Sequence, residues 1–226
     1  MNPARAPDPG TTPQCAQRLL ELQAWQAARL ANTYRDLHEN ARYRAAVDFF
    51  LDDLYGPHDF RQRDRDLARA LQRLTRVLPR SAVPALTRAI ELDGLSAALD
   101  RAMVANLPAG PLTNAGYADA YQRTGQHESR RRQIELIGEI GADLERIVHR
   151  PWTGAALKAA HVPAHAIGLG TLQDFLERGY ASFRQLGDAR YLLDTIHERE
   201  TRLMRSLFAG DAAALEPVAT GTGAGS

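Results

Sequence analysis

Apolar residues along this chain recur at intervals of three and four, and long alternating runs of Val, Ile and aromatic residues are missing, so the pattern predicts an all-α protein. The first helix opens at Thr12-Pro13, a capping hydroxyl followed by proline at the first helical position, and carries Leu19, Leu22, Leu30 and Leu37 to about Asn40. A second, from about Tyr43, sets Val47, Phe50, Leu51 and Leu54 on one stripe and stops at Gly56-Pro57, which leaves Tyr55 at a helix end. Asp59 is placed to cap a third helix whose seam is Leu67, Leu71, Leu74 and Leu78, and Ser81 to cap a fourth running through Leu86, Ile90, Leu95, Leu99 and Met103 to the Pro108–Pro111 loop. A short helix around Tyr117 and Tyr121 precedes a long one carrying Ile134, Ile137, Ile140, Leu144 and Val148, in which Gly138 and Gly141 would allow a close helix approach. The stretch from Pro151 to Gly170, broken by Pro163 and glycines, reads as a connection with room for one helical turn. Two helices close the chain, the first marked by Leu172, Phe175, Leu176, Phe183 and Leu186, the second by Leu192, Ile196, Leu203, Leu207 and Phe208, with Gly187-Asp188 between them.

Residues 1–11 and 210–226, rich in Pro, Gly and small polar residues, read as disordered tails around a helical domain at 12–209. The expectation is a single compact bundle of about seven to nine helices. A globin-like arrangement is the minor alternative, since His165-Ala-Ile-Gly-Leu leads into a late helix, but no matching distal-pocket aromatic set can be located.

Composition narrows the chemistry. Cys15 is the only cysteine, which excludes an internal disulfide and a Cys-based zinc site and fits a reducing cytoplasm. No window approaches a membrane span, so no membrane partner is expected. The 28 Lys and Arg residues balance 27 acids to a net charge of +1, which gives no global reason to expect nucleic acid. Of those cations only Lys158 is a lysine, so arginine abundance by itself says little about phosphate binding.

Local charge patterns carry more. Arg65, Arg69, Arg73, Arg76 and Arg80 follow helical spacing and form one stripe opposite the leucine seam, a surface for phosphates or an acidic partner if it is more than a solvated helix face. Asp64 and Asp66 near its start weaken the phosphate case, as does the lack of interleaved aromatics. Carboxylates gather at Asp48, Asp52 and Asp53 and again at Asp59, Asp64 and Asp66, where capping and pairing with Arg61, Arg63 or Arg65 is the plain reading; Glu91–Asp93 and Glu198–Glu200 are the acidic pairs that would have to converge on them to make a metal site. Among seven histidines, His161 and His165 lie four apart, but Pro163 between them argues against regular helical presentation. Asp194-x-x-His197 and Glu145-x-x-x-His149 have the spacing of surface salt links, and His58-Asp59 lacks the further ligands of a metal phosphohydrolase. There is no Gly-x-Ser-x-Gly elbow and no Gly-rich phosphate loop, so no catalytic residue, metal ligand or cofactor is assigned.

The run Asp48-Phe-Phe-Leu-Asp-Asp-Leu-Tyr-Gly-Pro-His-Asp-Phe-Arg-Gln-Arg-Asp-Arg-Asp-Leu67 resembles an uncharacterised family of bacterial all-helical proteins in which Phe-Phe-Leu-x-Asp-Leu-Tyr-Gly-Pro-x-Asp-Phe-x-x-Arg-Asp is typical. Glu91-Leu-Asp-Gly-Leu-Ser-Ala-Ala-Leu-Asp100, Gly168-Leu-Gly-Thr-Leu-Gln-Asp-Phe-Leu-Glu-Arg-Gly179 and Ile196-His-Glu-Arg-Glu200 are similar to the same family, which spreads the resemblance over roughly residues 15–210. It implies a compact helical domain of unknown function and transfers no catalytic residue. Asp93 stands where the family often has histidine, which counts against a ligand histidine on the fourth helix. The polar motif residues are Asp53, Tyr55, Asp59, Arg63, Asp64, Glu177 and Glu200, of which Asp53, Arg63, Asp64, Glu177 and Glu200 adjoin apolar seams and suit interhelical ion pairs. The expected function is that of a non-enzymatic helical binding or interaction module for a protein or small ligand, with possible homo-oligomers. The alternatives are a metal- or haem-binding sensor or hydrolase, and nucleic-acid or acidic-partner binding through the Arg65–Arg80 stripe.

Overall fold

A computed structural model describes residues 12–54, 83–166, 168 and 170–216 of the chain, and every regular element in them is helical. The expected third helix lies outside these residues, and with it Tyr55, the Gly56-Pro57 stop, His58, Asp59, Arg63, Asp64, Asp66, the arginines at 65, 69, 73, 76 and 80, and Ser81; the side chains of Asp52 and Asp53 are likewise not described.

Helix α1, Pro13–Thr33, begins where the sequence places it: Thr12 is extended, its hydroxyl accepts from the Cys15 amide, and Pro13 occupies the first helical position. The expected single helix to Asn40 is broken at Tyr34, beyond which α2 spans Arg35–Glu39. Helix α3, Arg44–Asp48, passes into a wider π-helical turn at Phe49–Leu54. Phe49, at the start of that turn and still bonded in α-helical fashion to the Ala45 carbonyl, is buried with Val47, while Phe50 and Leu51 pack at the edge of the core. Then follow α4 (Val83–Val104), α5 (Asn114–Thr124), α6 (His127–Val148), α7 (Thr153–Ala166), α8 (Gly170–Leu186) and α9 (Arg190–Phe208).

Helix α7 corrects the reading of residues 151–170 as a connection with one turn, for it runs fourteen residues with Pro163 inside it. Ala155, Ala156, Ala159 and Ala160 give it strong intrinsic helicity, and Pro163 falls in the last turn, where little of the ladder remains to be lost. Residues 211–215, assigned by composition to the C-terminal tail, form a 3-10 turn capped by Asp211, and Leu215 is buried.

Two apolar clusters fill the interior. One joins Leu30, Tyr34, Leu37, Val47 and Phe49 to Phe183, Leu186, Leu192 and Leu193; the other joins Leu22 and Trp25 to Met103, Tyr117, Tyr121, Leu207 and Leu215. Helices α1 and α9 contribute to both. Of the two glycines on α6 only Gly141 serves close approach: a Cβ there would collide with both methyls of Leu193 on α9, whereas one on Gly138 would meet nothing.

Candidate functional site

The charged residues on the described helices divide into an interior layer, a surface ladder and the α7–α8 hairpin. In the interior, Arg29 on α1 donates to Glu200 on α9 at 2.5 Å, and the Tyr34 hydroxyl donates to the same oxygen at 2.9 Å. Burial works against the Arg29 charge, but the Glu200 carboxylate outweighs it and raises the guanidinium above its ordinary value. Asp100 accepts from Gln23 and Gln26, and burial pushes its carboxyl above the usual range against those two bonds. Arg130, 6 % exposed, lies 4.6 Å over the Tyr121 ring and bonds Gln133. Trp25 Nε1, Arg29 Nε and Arg130 Nη2 are buried donors without a protein acceptor among the described residues. Glu200 therefore acts in an interhelical pair, as its place beside an apolar seam suggests, and its partner lies at the other end of the sequence.

The ladder links α4 to α6. Arg132 bonds Glu91 and Glu139, Arg88 bonds Glu139 and Asp143, and Arg131 bonds Glu128 and Glu135, so the shallow groove lined by Glu91, Leu95, Ser129 and Arg132 is closed by charges that satisfy one another. Glu91 is used here and Glu198 pairs with Arg202 along α9, while Asp48 faces His38 at 2.7 Å; among the described residues the acidic pairs weighed from sequence do not converge, and Asp52, Asp53, Asp59, Asp64 and Asp66 lie outside that comparison. His149 bonds the Gly187 carbonyl and Glu145 accepts from the Ala189 amide, so both hold the α8–α9 turn rather than each other. Asp188 there is held down to about 2 by the Arg190 guanidinium and amide.

The hairpin is different. His161 and His165 present their rings on one side of α7, centroids 4.6 Å apart, in spite of Pro163. Across from them α8 supplies two carboxylates one turn apart: Asp174 Oδ1 lies 2.9 Å from His165 Nε2, and Glu177 Oε1 and Oε2 lie 3.0 and 3.2 Å from His161 Nδ1. Gln173, buried between the helices, donates from one amide to both the Leu157 carbonyl and Glu177, and that bond, with His161, holds the Glu177 carboxyl below its ordinary value. Gly170 makes room for the His165 ring, since a Cβ there would stand 2.5 Å from Nδ1. Ligand-type atoms of His161, His165 and Asp174 all fall within 4.8 Å of one another.

Beside this cluster runs a groove of about 360 Å³ lined by Gly154, Leu157, Lys158, His161, Val162, Glu177 and Tyr180. Tyr180 reaches across to α7 at Gly154, where a Cβ would sit 2.6 Å from its hydroxyl. Val162, 73 % exposed, leaves the groove an apolar lip. Of this constellation the sequence singled out Glu177 and set the histidine pair aside; the missing signal was the carboxylate pair at 174 and 177, which helical spacing offers but which only the hairpin brings opposite the imidazoles.

A family model described as a domain of unknown function, DUF8198, matches residues 7–214. The chain belongs to that family. Membership brings a fold-sized unit and no named activity, in keeping with the uncharacterised family that the motifs resemble. No curated protein matches the chain, and no solved structure does. No helix among the described residues of this DUF8198 member is long and apolar enough to cross a membrane.

Proposed function

We propose that this DUF8198 protein is a non-catalytic helical binding module, bacterial and cytoplasmic in setting, whose working surface is the α7–α8 hairpin. Its ligand on this reading is a small organic anion with an apolar body. The observation that carries it is the lining of the groove, an open depression of about 360 Å³ in which apolar side chains adjoin a single lysine. Leu157, Val162 and Tyr180 offer apolar area, and the one lysine of the chain stands beside them as a point charge. The ladder groove, by contrast, has its charges already paired.

Titrating aromatic carboxylates into isotopically labelled protein and following backbone amides tests this. Shifts confined to residues 154–162 and 177–180, weakened by Lys158→Ala and absent with the corresponding neutral amides, are expected. Shifts that map to the Glu91–Arg132 groove, or amides that bind as well as the carboxylates, would overturn it.

A further inference from the structure

We infer that His161, His165 and Asp174 form a binding site for a single divalent transition-metal ion of the zinc class, clamped between α7 and α8. This goes beyond the groove reading, which concerns an organic ligand and stands or falls separately. Two imidazoles and a carboxylate are a nitrogen–oxygen set that suits zinc and its neighbours and is a poor match for calcium or magnesium, which take oxygen ligands. The i, i+4 spacing of His161 and His165 puts both rings on one side of α7, and the close packing of α8 at Gly170 brings Asp174 to them.

Geometry supports the assignment. Zinc–ligand distances of about 2.0–2.2 Å give a tetrahedron with edges of about 3.3 Å. Three donor atoms already within 4.8 Å of one another reach that size by side-chain rotation, and His165 Nε2 with Asp174 Oδ1, at 2.9 Å, need only part slightly. All three side chains are accessible, so the ion has an entry path and a fourth position open to water.

Glu177 supplies the outer support. It accepts from Gln173 and faces His161 Nδ1, and a proton on Nδ1 directed at that carboxylate leaves the Nε2 lone pair for the metal. Carboxylates behind ligand histidines fix the tautomer and the ring orientation in this way. The charge environment is telling too: Glu91, Glu139, Asp143 and Glu200 are met by guanidiniums, whereas Asp174 and Glu177 are met by imidazoles, which a metal can displace from hydrogen bonding into ligation.

The test uses the full chain without a histidine tag, stripped by a chelator, in a Cys15→Ser background so that the thiol contributes nothing. Zinc is titrated by calorimetry, and cobalt is added in parallel to read coordination from its visible absorption. One equivalent of zinc, and a cobalt spectrum of four-coordinate nitrogen–oxygen type, are expected. His161→Gln, His165→Gln and Asp174→Asn should each weaken zinc binding at least tenfold, and Glu177→Gln by about 10–100-fold as an outer-shell partner. His197→Gln, at an exposed position of α9, should leave it unchanged. Far-UV circular dichroism confirms that the variants, all at accessible positions, remain folded. No stoichiometric binding to the parent, or binding that survives in the His161→Gln/His165→Gln double variant, would overturn the site; carboxylate-induced shifts in metal-free protein would persist in either case.

Discussion

Gly141 and Gly138 look alike in sequence, both directly following an isoleucine on α6, yet they should respond oppositely to a methyl group. Gly141→Ala pushes Cβ into Leu193 and should cost about 1–3 kcal/mol of unfolding free energy through overpacking. Gly138→Ala meets open space and should gain up to about 1 kcal/mol from helix propensity alone. Urea unfolding of the two variants checks both signs. The Arg29–Glu200 pair makes a larger prediction. Glu200→Ala strands a buried guanidinium and should cost about 3–5 kcal/mol, while Arg29→Met with Glu200→Leu should recover most of that, because an apolar pair has no charge to desolvate. Asp100 gives the pH dependence. Its folded-state value is raised above 3.8, so its share of stability is full below that value and is lost as pH rises through the folded value. Asp100→Asn carries no such loss, and its urea midpoint should therefore gain on the wild type between pH 4 and pH 7; a constant gap would show that burial does not penalise this charge. Glu200 could be picked out of the sequence as a polar residue beside an apolar seam. Arg29 could not, because no periodicity links positions 171 apart.

At the scale of elements, helices with strong apolar period were legible and irregularities were not. The Thr12-Pro13 start, the Tyr117–Tyr121 helix and the closing pair of helices lie where the pattern puts them. The break at Tyr34, the π-helical turn at Phe49 and helix α7 were hidden, since each is a contest between local preference and packing. In α7 the alanine propensity outweighs one proline near the C-terminal end. Pro163→Ala should restore the missing backbone donor and raise hydrogen-exchange protection within 153–166, with an effect of at most about 3 kcal/mol on local opening. Unchanged exchange would mean that α8 packing alone sets the stability of α7.

At the scale of the whole molecule, the fold class and the existence of a bundle were readable from composition and period, but the pairing of helices was not, and the hairpin constellation depends on that pairing. Helices α1 and α9 feed both apolar clusters, and Leu22 and Leu192 at their centres are fully buried. The two clusters should therefore lose structure together. With Trp152, exposed at the surface, replaced by Phe, Trp25 fluorescence reports the second cluster, and methyl resonances of Leu192 report the first; their denaturation midpoints should coincide within error.

The interior polar residues also restrict how α1 can sit against α4 and α9. Helix α1 packs against α4 and reaches α9 through its side chains, so a slip of α1 along its own axis by one turn, about 5.4 Å, would be felt at both neighbours. Such a slip would carry Arg29 and Tyr34 away from Glu200 and would leave Gln23 and Gln26 facing past Asp100. The interior charges thus act as a vernier mark between two smooth scales: they add little to the depth of the folded state, but they leave one alignment of the helices in which every carboxylate of the layer is answered.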